Sequence, residues 1–215
     1  MKQAGEVVGL GDLMAADGFD GFGGVDETAW RAYIAMFVAR MGLRPGESIL
    51  EVGCGAGAFL LPLAEAGYTV AGLDYSPELV AVARAAIPGA EFTVAEAIDL
   101  DTMGEFDIVV SNGAFLYFPD LGYAAAVLRR MLAASKRGVA VLDVPDAHLQ
   151  GDALRERRKW LGDETYGQKY GRLDHLYFDR GWFDTTIGDK SVVVETADQD
   201  LRGYFNASYR FNVFA

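Results

Sequence analysis

Short apolar runs alternate with helix-patterned stretches from residue 48 to residue 143, and this rhythm leaves few architectures open to the chain. Residues 49–52, 69–73, 91–95, 106–110 and 138–143 read as strands. Residues 59–66, 77–86 and 121–134 carry apolar side chains at helical spacing, and Ser76 before Pro77 is a natural helix start. The strands are apolar nearly throughout, which suits a parallel sheet covered by helices on both faces. A helix over 26–41 precedes them, capped by Asp26 and carrying Trp30, Tyr33, Ile34, Phe37, Val38 and Met41 on one face. The alternation resumes late in the chain, with a helix at 180–187 and strands at 191–196 and 207–214. The fold class is therefore α/β.

Two stretches break the rhythm. Residues 1–25 are rich in glycine and aspartate and show no stable helix or strand by pattern, yet they carry Phe19 and Phe22. They are expected to form a mobile arm that docks over a ligand. Residues 145–177 are polar, aromatic and rich in arginine. They read as an insertion above the carboxyl ends of the strands, where open α/β sheets bind ligands, and so as a substrate cap.

Composition narrows the class further. A chain of 215 residues suits one domain with a substantial core. Its net charge of −12 repels phosphate backbones and anionic membrane surfaces, so neither nucleic acid nor membrane is an expected partner. The run Arg155, Arg157, Arg158 and Lys159 reads as a solvated helix face. The single cysteine, Cys54, excludes an intramolecular disulfide and a multi-cysteine zinc site, and points to a cytoplasmic setting. Residues 1–13 do not read as a signal peptide, and no apolar stretch approaches the roughly 20 residues of a membrane span. Oligomeric state is left open, a homodimer being one option.

The segment that carries chemistry is Leu50-Glu51-Val52-Gly53-Cys54-Gly55-Ala56-Gly57, which follows a strand and opens a helix. Glycines at alternate positions let the backbone turn sharply and approach a ligand that a Cβ would hold away. Asp74 ends the next strand, seventeen residues past Gly57, and a carboxylate there can accept both hydroxyls of a ribose. Glu51 to Gly57, Gly72 to Glu78, Phe92 to Ala97 and Phe106 to Asn112 together resemble the ordered motif series of the class I S-adenosylmethionine-dependent methyltransferases. The resemblance covers roughly residues 30–143. It implies a Rossmann-like, seven-stranded, mostly parallel sheet with the last strand antiparallel, and S-adenosyl-L-methionine as cofactor. It also implies roles. Glu51, Gly53, Gly55 and Gly57 would meet the methionine part and ribose, Asp74 the ribose, Tyr75, Glu96 and Ala97 the adenine, and Ser111 and Asn112 the cofactor below its methyl group.

Methyl transfer is a displacement at an already activated carbon, so positioning and water exclusion supply most of the catalysis. The run Ser111-Asn112-Gly113-Ala114 differs from that of enzymes methylating nucleic-acid bases, and Ser111 stands where metal-dependent relatives carry an acid, so no metal is expected. A small molecule remains as methyl acceptor, taken at an O, N or C atom, with secondary metabolism one setting. Tyr33, Phe115, Arg155, Tyr166, Tyr170 and Tyr177 are the candidate acceptor-binding residues. If the acceptor is a hydroxyl, an imidazole suits its proton, and the only histidines are His175, the preferred base, and His148. Two alternatives stay open: a nicotinamide-dependent oxidoreductase, since the glycines also satisfy a loose dinucleotide fingerprint, and a cofactor-binding fold used as a cyclase or regulatory module.

Overall fold

The computed structural model describes residues 9–19, 24–162 and 175–215. Its centre is a seven-stranded sheet in the order β3-β2-β1-β4-β5-β7-β6. The strands are β1 (Ser48–Val52), β2 (Thr69–Asp74), β3 (Glu91–Val94), β4 (Phe106–Asn112), β5 (Ser135–Pro145), β6 (Glu195–Asp198) and β7 (Arg210–Phe214). The first five are parallel, and β7 runs antiparallel to both β5 and β6, as the motif series implies.

Helices cover both faces: α2 (Glu27–Arg40), α3 (Leu60–Glu65) and α4 (Pro77–Ala86) on one, α5 (Leu121–Ala134) and a short helix at Gly181–Ile187 on the other. Neighbouring strand residues split between two cores because successive side chains point to opposite faces. Ile49 packs with Trp30, Phe37, Phe59 and Leu63, whereas Leu50 packs with Val127, Met131, Phe183 and Phe211. The caps follow local chemistry. Asp26, Ser76 and Asp120 accept hydrogen bonds from the backbone N–H groups of Ala29, Leu79 and Tyr123.

Three boundaries differ from expectation. A helix, α1 (Leu10–Ala16), stands in the arm where none was expected. Leu10, Leu13 and Met14 are buried against the core at helical spacing, a signal masked by the surrounding glycines and aspartates. The strand expected at 191–196 is β6 at Glu195–Asp198, because its register begins at the Glu195–Phe214 pair, the last of β7. Val193 is left 73% exposed. The final strand is shorter than expected, since residues Ala207–Tyr209 form a 3-10 turn.

The insertion begins with a 3-10 turn, Ala147–Leu149, and α6 (Gln150–Leu161). Trp160 on α6 is half-exposed. Among the described residues no helix is long and apolar enough to cross a membrane.

Candidate cofactor and acceptor site

The sheet places the site. From β1 the chain crosses over to β2 and β3 on one side, while β4 and β5 lie on the other, so the crevice at the carboxyl ends of β1 and β4 is the topological switch point. The glycine segment leaves β1 there. Gly53, Gly55 and Gly57 all adopt positive φ (78°, 52° and 88°), a region that side-chain-bearing residues avoid. The loop is pinned to β2: Gly53 and Cys54 donate to the Leu73 carbonyl at 2.8 and 3.0 Å, and Gly55 donates to Asp74 Oδ2 at 2.9 Å. Asp74 Oδ1 accepts from Ser76 N–H at 2.9 Å. Asp74 is therefore not the cap of α4, which is Ser76, but a tie between two backbone segments that border the crevice.

The arm reaches the same loop. Asp17, just past α1, accepts from Ala56 N–H at 2.6 Å and Ala58 N–H at 3.2 Å, and a Cβ on Gly55 would collide with its carboxylate. Trp30 on α2 donates its indole N–H to the Ala58 carbonyl at 2.9 Å, so this residue packs rather than acting as a lid. Burial pushes the Asp17 carboxyl up to about 6, and pushes Glu51 well above the usual carboxyl range. Burial also raises the Cys54 thiol.

These residues fit a cationic, hydrogen-bonding cofactor. Glu51 Oε2 and Ser111 Oγ are buried at the ends of β1 and β4 with no hydrogen-bond partner among the described residues. Each such group costs about 1–3 kcal/mol until a ligand or water satisfies it. Tyr75 is exposed beside the crevice, Glu96 is exposed and accepts from the Tyr123 hydroxyl at 3.4 Å, and Ala97 and Asn112 are half-buried. S-adenosylmethionine would supply a methyl carbon activated by a sulfonium, and Glu51, Asp74 and the three glycines are the residues that would hold it.

Beside the loop lies a buried polar network, most of which sequence reasoning missed. Asp143, at the end of β5, has φ of 59°, the one positive value on a non-glycine described residue. Such strain persists only where the surroundings hold it. Its backbone N–H donates to Asn212 Oδ1 at 2.9 Å, and its carboxylate accepts from Gln199 Nε2 at 3.3 Å, the Tyr204 hydroxyl at 3.1 Å and Arg210 Nη1 at 3.4 Å. Gln199 also donates to the Tyr33 hydroxyl at 3.2 Å, which in turn donates to Asn112 at 3.2 Å. This buried network runs from β4 to β7 beneath the crevice. No motif announces it, because its members lie far apart in the chain.

Several candidates take other places. Tyr33 is buried in that network rather than open to an acceptor. Phe115, expected against the acceptor, packs in the core with ring centroids 4.8, 6.1 and 6.2 Å from those of Phe118, Phe178 and Phe183. Arg155 is exposed and paired with Asp152 on the outer face of α6. Its neighbour Arg157, read as part of a solvated face, is buried and donates to Asn206 Oδ1 at 3.2 Å. His148 is exposed and bonded to Asp179 at 2.8 Å. His175 stands edge-on to Tyr117, with ring centroids 5.2 Å apart, and Tyr177 is half-buried nearby. Tyr166 and Tyr170 lie outside the described residues. Asp146, the other carboxylate near the end of β5, is held by Arg180 at 2.9 Å.

Comparison with known proteins agrees with this geometry. A family model described as a methyltransferase domain matches residues 27–181. An uncharacterized protein of Mycobacterium bovis is 38% identical over 195 residues, covering 81% of this chain and 68% of its own length. Nocamycin O-methyltransferase of Saccharothrix syringae is 36% identical over 120 residues, 52% of this chain and 43% of that one. The match thus spans less than half the length of several curated relatives. Magnesium protoporphyrin IX methyltransferase from Synechocystis, solved with its cofactor bound, shares the fold at a TM-score of 0.61 and 19% identity, over 94% of this chain and 92% of that one. The glycine loop, the Asp74 tie, the strand order and the family match together place this chain in the class I S-adenosylmethionine-dependent methyltransferase family.

Proposed function

We propose that this protein transfers the cofactor's methyl group to a small molecule bound between the glycine loop and the segment around His175. The observation that carries this reading is the way that segment is stitched across the strand ends. Leu176 N–H donates to the Leu116 carbonyl at 2.9 Å, just past β4, and Phe178 N–H donates to the Pro145 carbonyl at 2.9 Å, at the end of β5. Ala147 N–H returns to the Phe178 carbonyl at 2.9 Å. These bonds tie the end of the 145–177 insertion to the segments that follow β4 and end β5, which supports an acceptor pocket there.

A small-molecule acceptor agrees with the net charge of −12, which disfavours nucleic acid. An oxygen acceptor is favoured by the likeness to nocamycin O-methyltransferase. On this reading Tyr117 and Tyr177 give the acceptor an apolar wall with polar tips, and His175 takes the proton of a hydroxyl nucleophile. The proton leaves oxygen for imidazole as the new O–CH3 bond forms and the bond between sulfur and methyl breaks. His148, exposed and engaged by Asp179, is not placed for this task.

The test is to screen hydroxyl-, carboxyl- and amine-bearing small molecules against the purified chain, following S-adenosylhomocysteine formation. With an acceptor in hand, His175→Ala should lower kcat by about a hundredfold or more while leaving S-adenosylhomocysteine affinity unchanged. Near-normal turnover in that variant would remove His175 as the base.

A further inference from the structure

Three carboxylates stand around one loop with no basic side chain between them among the described residues. Glu51 lies on β1, Asp74 ends β2, and Asp17 is brought in by the arm. The electrostatic influences on Asp17, Glu51 and Cys54 come from one another and from Asp74, and none comes from a basic side chain among the described residues. Glu51 adds an independent sign: its Oε2 is buried with no hydrogen-bond partner among the described residues. Burying like charges together without a counter-ion is unfavourable and raises their hold on protons, as Asp17 and Glu51 show, and a positively charged ligand relieves the same cost.

Asp17 is held in place rather than brushing the surface. Leu10, Leu13 and Met14 anchor α1 in the core. Gly18 turns the chain at φ of 88°, and Phe19 packs its ring 4.5 Å from that of Trp30 and 5.9 Å from that of Tyr204. Between these anchors the carboxylate takes the N–H groups of Ala56 and Ala58 and fills the space over Gly55.

We propose that Asp17 is a cofactor-selecting residue, which with Glu51 and Asp74 makes the site favour the positively charged sulfonium cofactor over the uncharged thioether that remains after transfer. The two molecules differ by one methyl group and one positive charge. The backbone contacts of the glycine loop hold both alike, so discrimination must come from charge. Once the methyl leaves, sulfur is neutral and the carboxylates lose their counter-ion, which loosens the product. The arm thus adds a third carboxylate to the discrimination that Glu51 and Asp74 begin.

Calorimetric titration of wild type and Asp17→Asn with S-adenosylmethionine and with S-adenosylhomocysteine tests this. The amide oxygen of asparagine still accepts from Ala56 N–H, so the substitution removes charge and keeps one of the two loop contacts, while Ala58 N–H loses its acceptor. The quantity read is the ratio of the two affinities within each protein, which a general loss of stability would not move. Wild type should favour the sulfonium form, and Asp17→Asn should lower that ratio by about tenfold.

The effect should also depend on pH. Asp17 holds its proton up to about 6, and the sulfonium favours the ionised form. The wild-type ratio should therefore fall as pH drops from 7 to 5, and fall less in Asp17→Asn. Glu51, raised by burial, and Asp74 face the same loop in both proteins, so the difference between the proteins isolates Asp17. Equal weakening for both ligands would make Asp17 a loop support only and overturn the proposal. Unchanged or tighter binding in Asp17→Asn would overturn it as well, by making the carboxylate an occupant that the cofactor displaces. Neither outcome bears on the acceptor, so this proposal and the acceptor assignment fail separately.

Discussion

The glycine-loop side of the crevice and the buried polar network on its other side are built by different means. On the cofactor side Gly53, Cys54 and Gly55 are tied to Leu73 and Asp74, about twenty residues away across one crossover. A single strand–loop–helix–strand unit forms it. In the network Tyr33 meets Gln199 across 166 residues, and Asp143 meets Arg210 across 67. That side exists only when α2, β5 and β7 have all found one another. Local construction gives the glycine loop a sequence signature. Non-local construction gives the network none.

The contrast makes its strongest claim at Asp143. Asp143→Ala removes the partner of buried Arg210 and should destabilise the fold by about 3–5 kcal/mol. Denaturant melts should register this loss, while cofactor affinity measured on the folded fraction should change little. A comparable drop in affinity would mean that the two sides are not separable.

Asp74→Ala should do the reverse. It should weaken S-adenosylhomocysteine binding by roughly 1.5–3 kcal/mol, the range for hydrogen bonds to a charged group, with a smaller effect on stability. Calorimetry on that variant reads the number directly, and unchanged affinity would reduce Asp74 to its ties with Gly55 and Ser76.

The smallest effect belongs to Arg155, on neither side of the crevice. Arg155→Ala breaks an exposed pair with Asp152 and should move the melting temperature by less than about 2 °C, with turnover on any acceptor unchanged. A clear loss of turnover there would extend the acceptor site onto the outer face of α6.

The same division explains what could be read before the structure. The alternating apolar runs gave the sheet and its helices because buried parallel strands need continuous apolar side chains. The glycine segment and Asp74 were legible because close backbone approach demands glycine. Asp17 was not: an aspartate in a glycine-rich leader looks like any turn residue until α1 is seen to carry it onto the loop. Arg157 was misread because a charged run suggests a solvated face, and only the packing of α6 shows which arginine turns inward. Phe115 misled in the opposite way. It follows the Ser111-Asn112-Gly113 turn so closely that its position suggested the crevice, yet the 3-10 turn at Phe115–Tyr117 directs its ring into the core and leaves Tyr117 exposed.

Cys54 sits in the middle of the glycine loop, 3% exposed, and is the chain's sole thiol. A thiol reagent can therefore modify this protein only while the loop is open. The labelling rate becomes a clock for that opening, without any engineered probe. When opening is fast and rare, the rate equals the intrinsic reaction rate multiplied by the fraction of time spent open. A ligand that binds only the closed loop slows labelling by its own saturation factor, so titrating the reagent's half-time against ligand returns a dissociation constant.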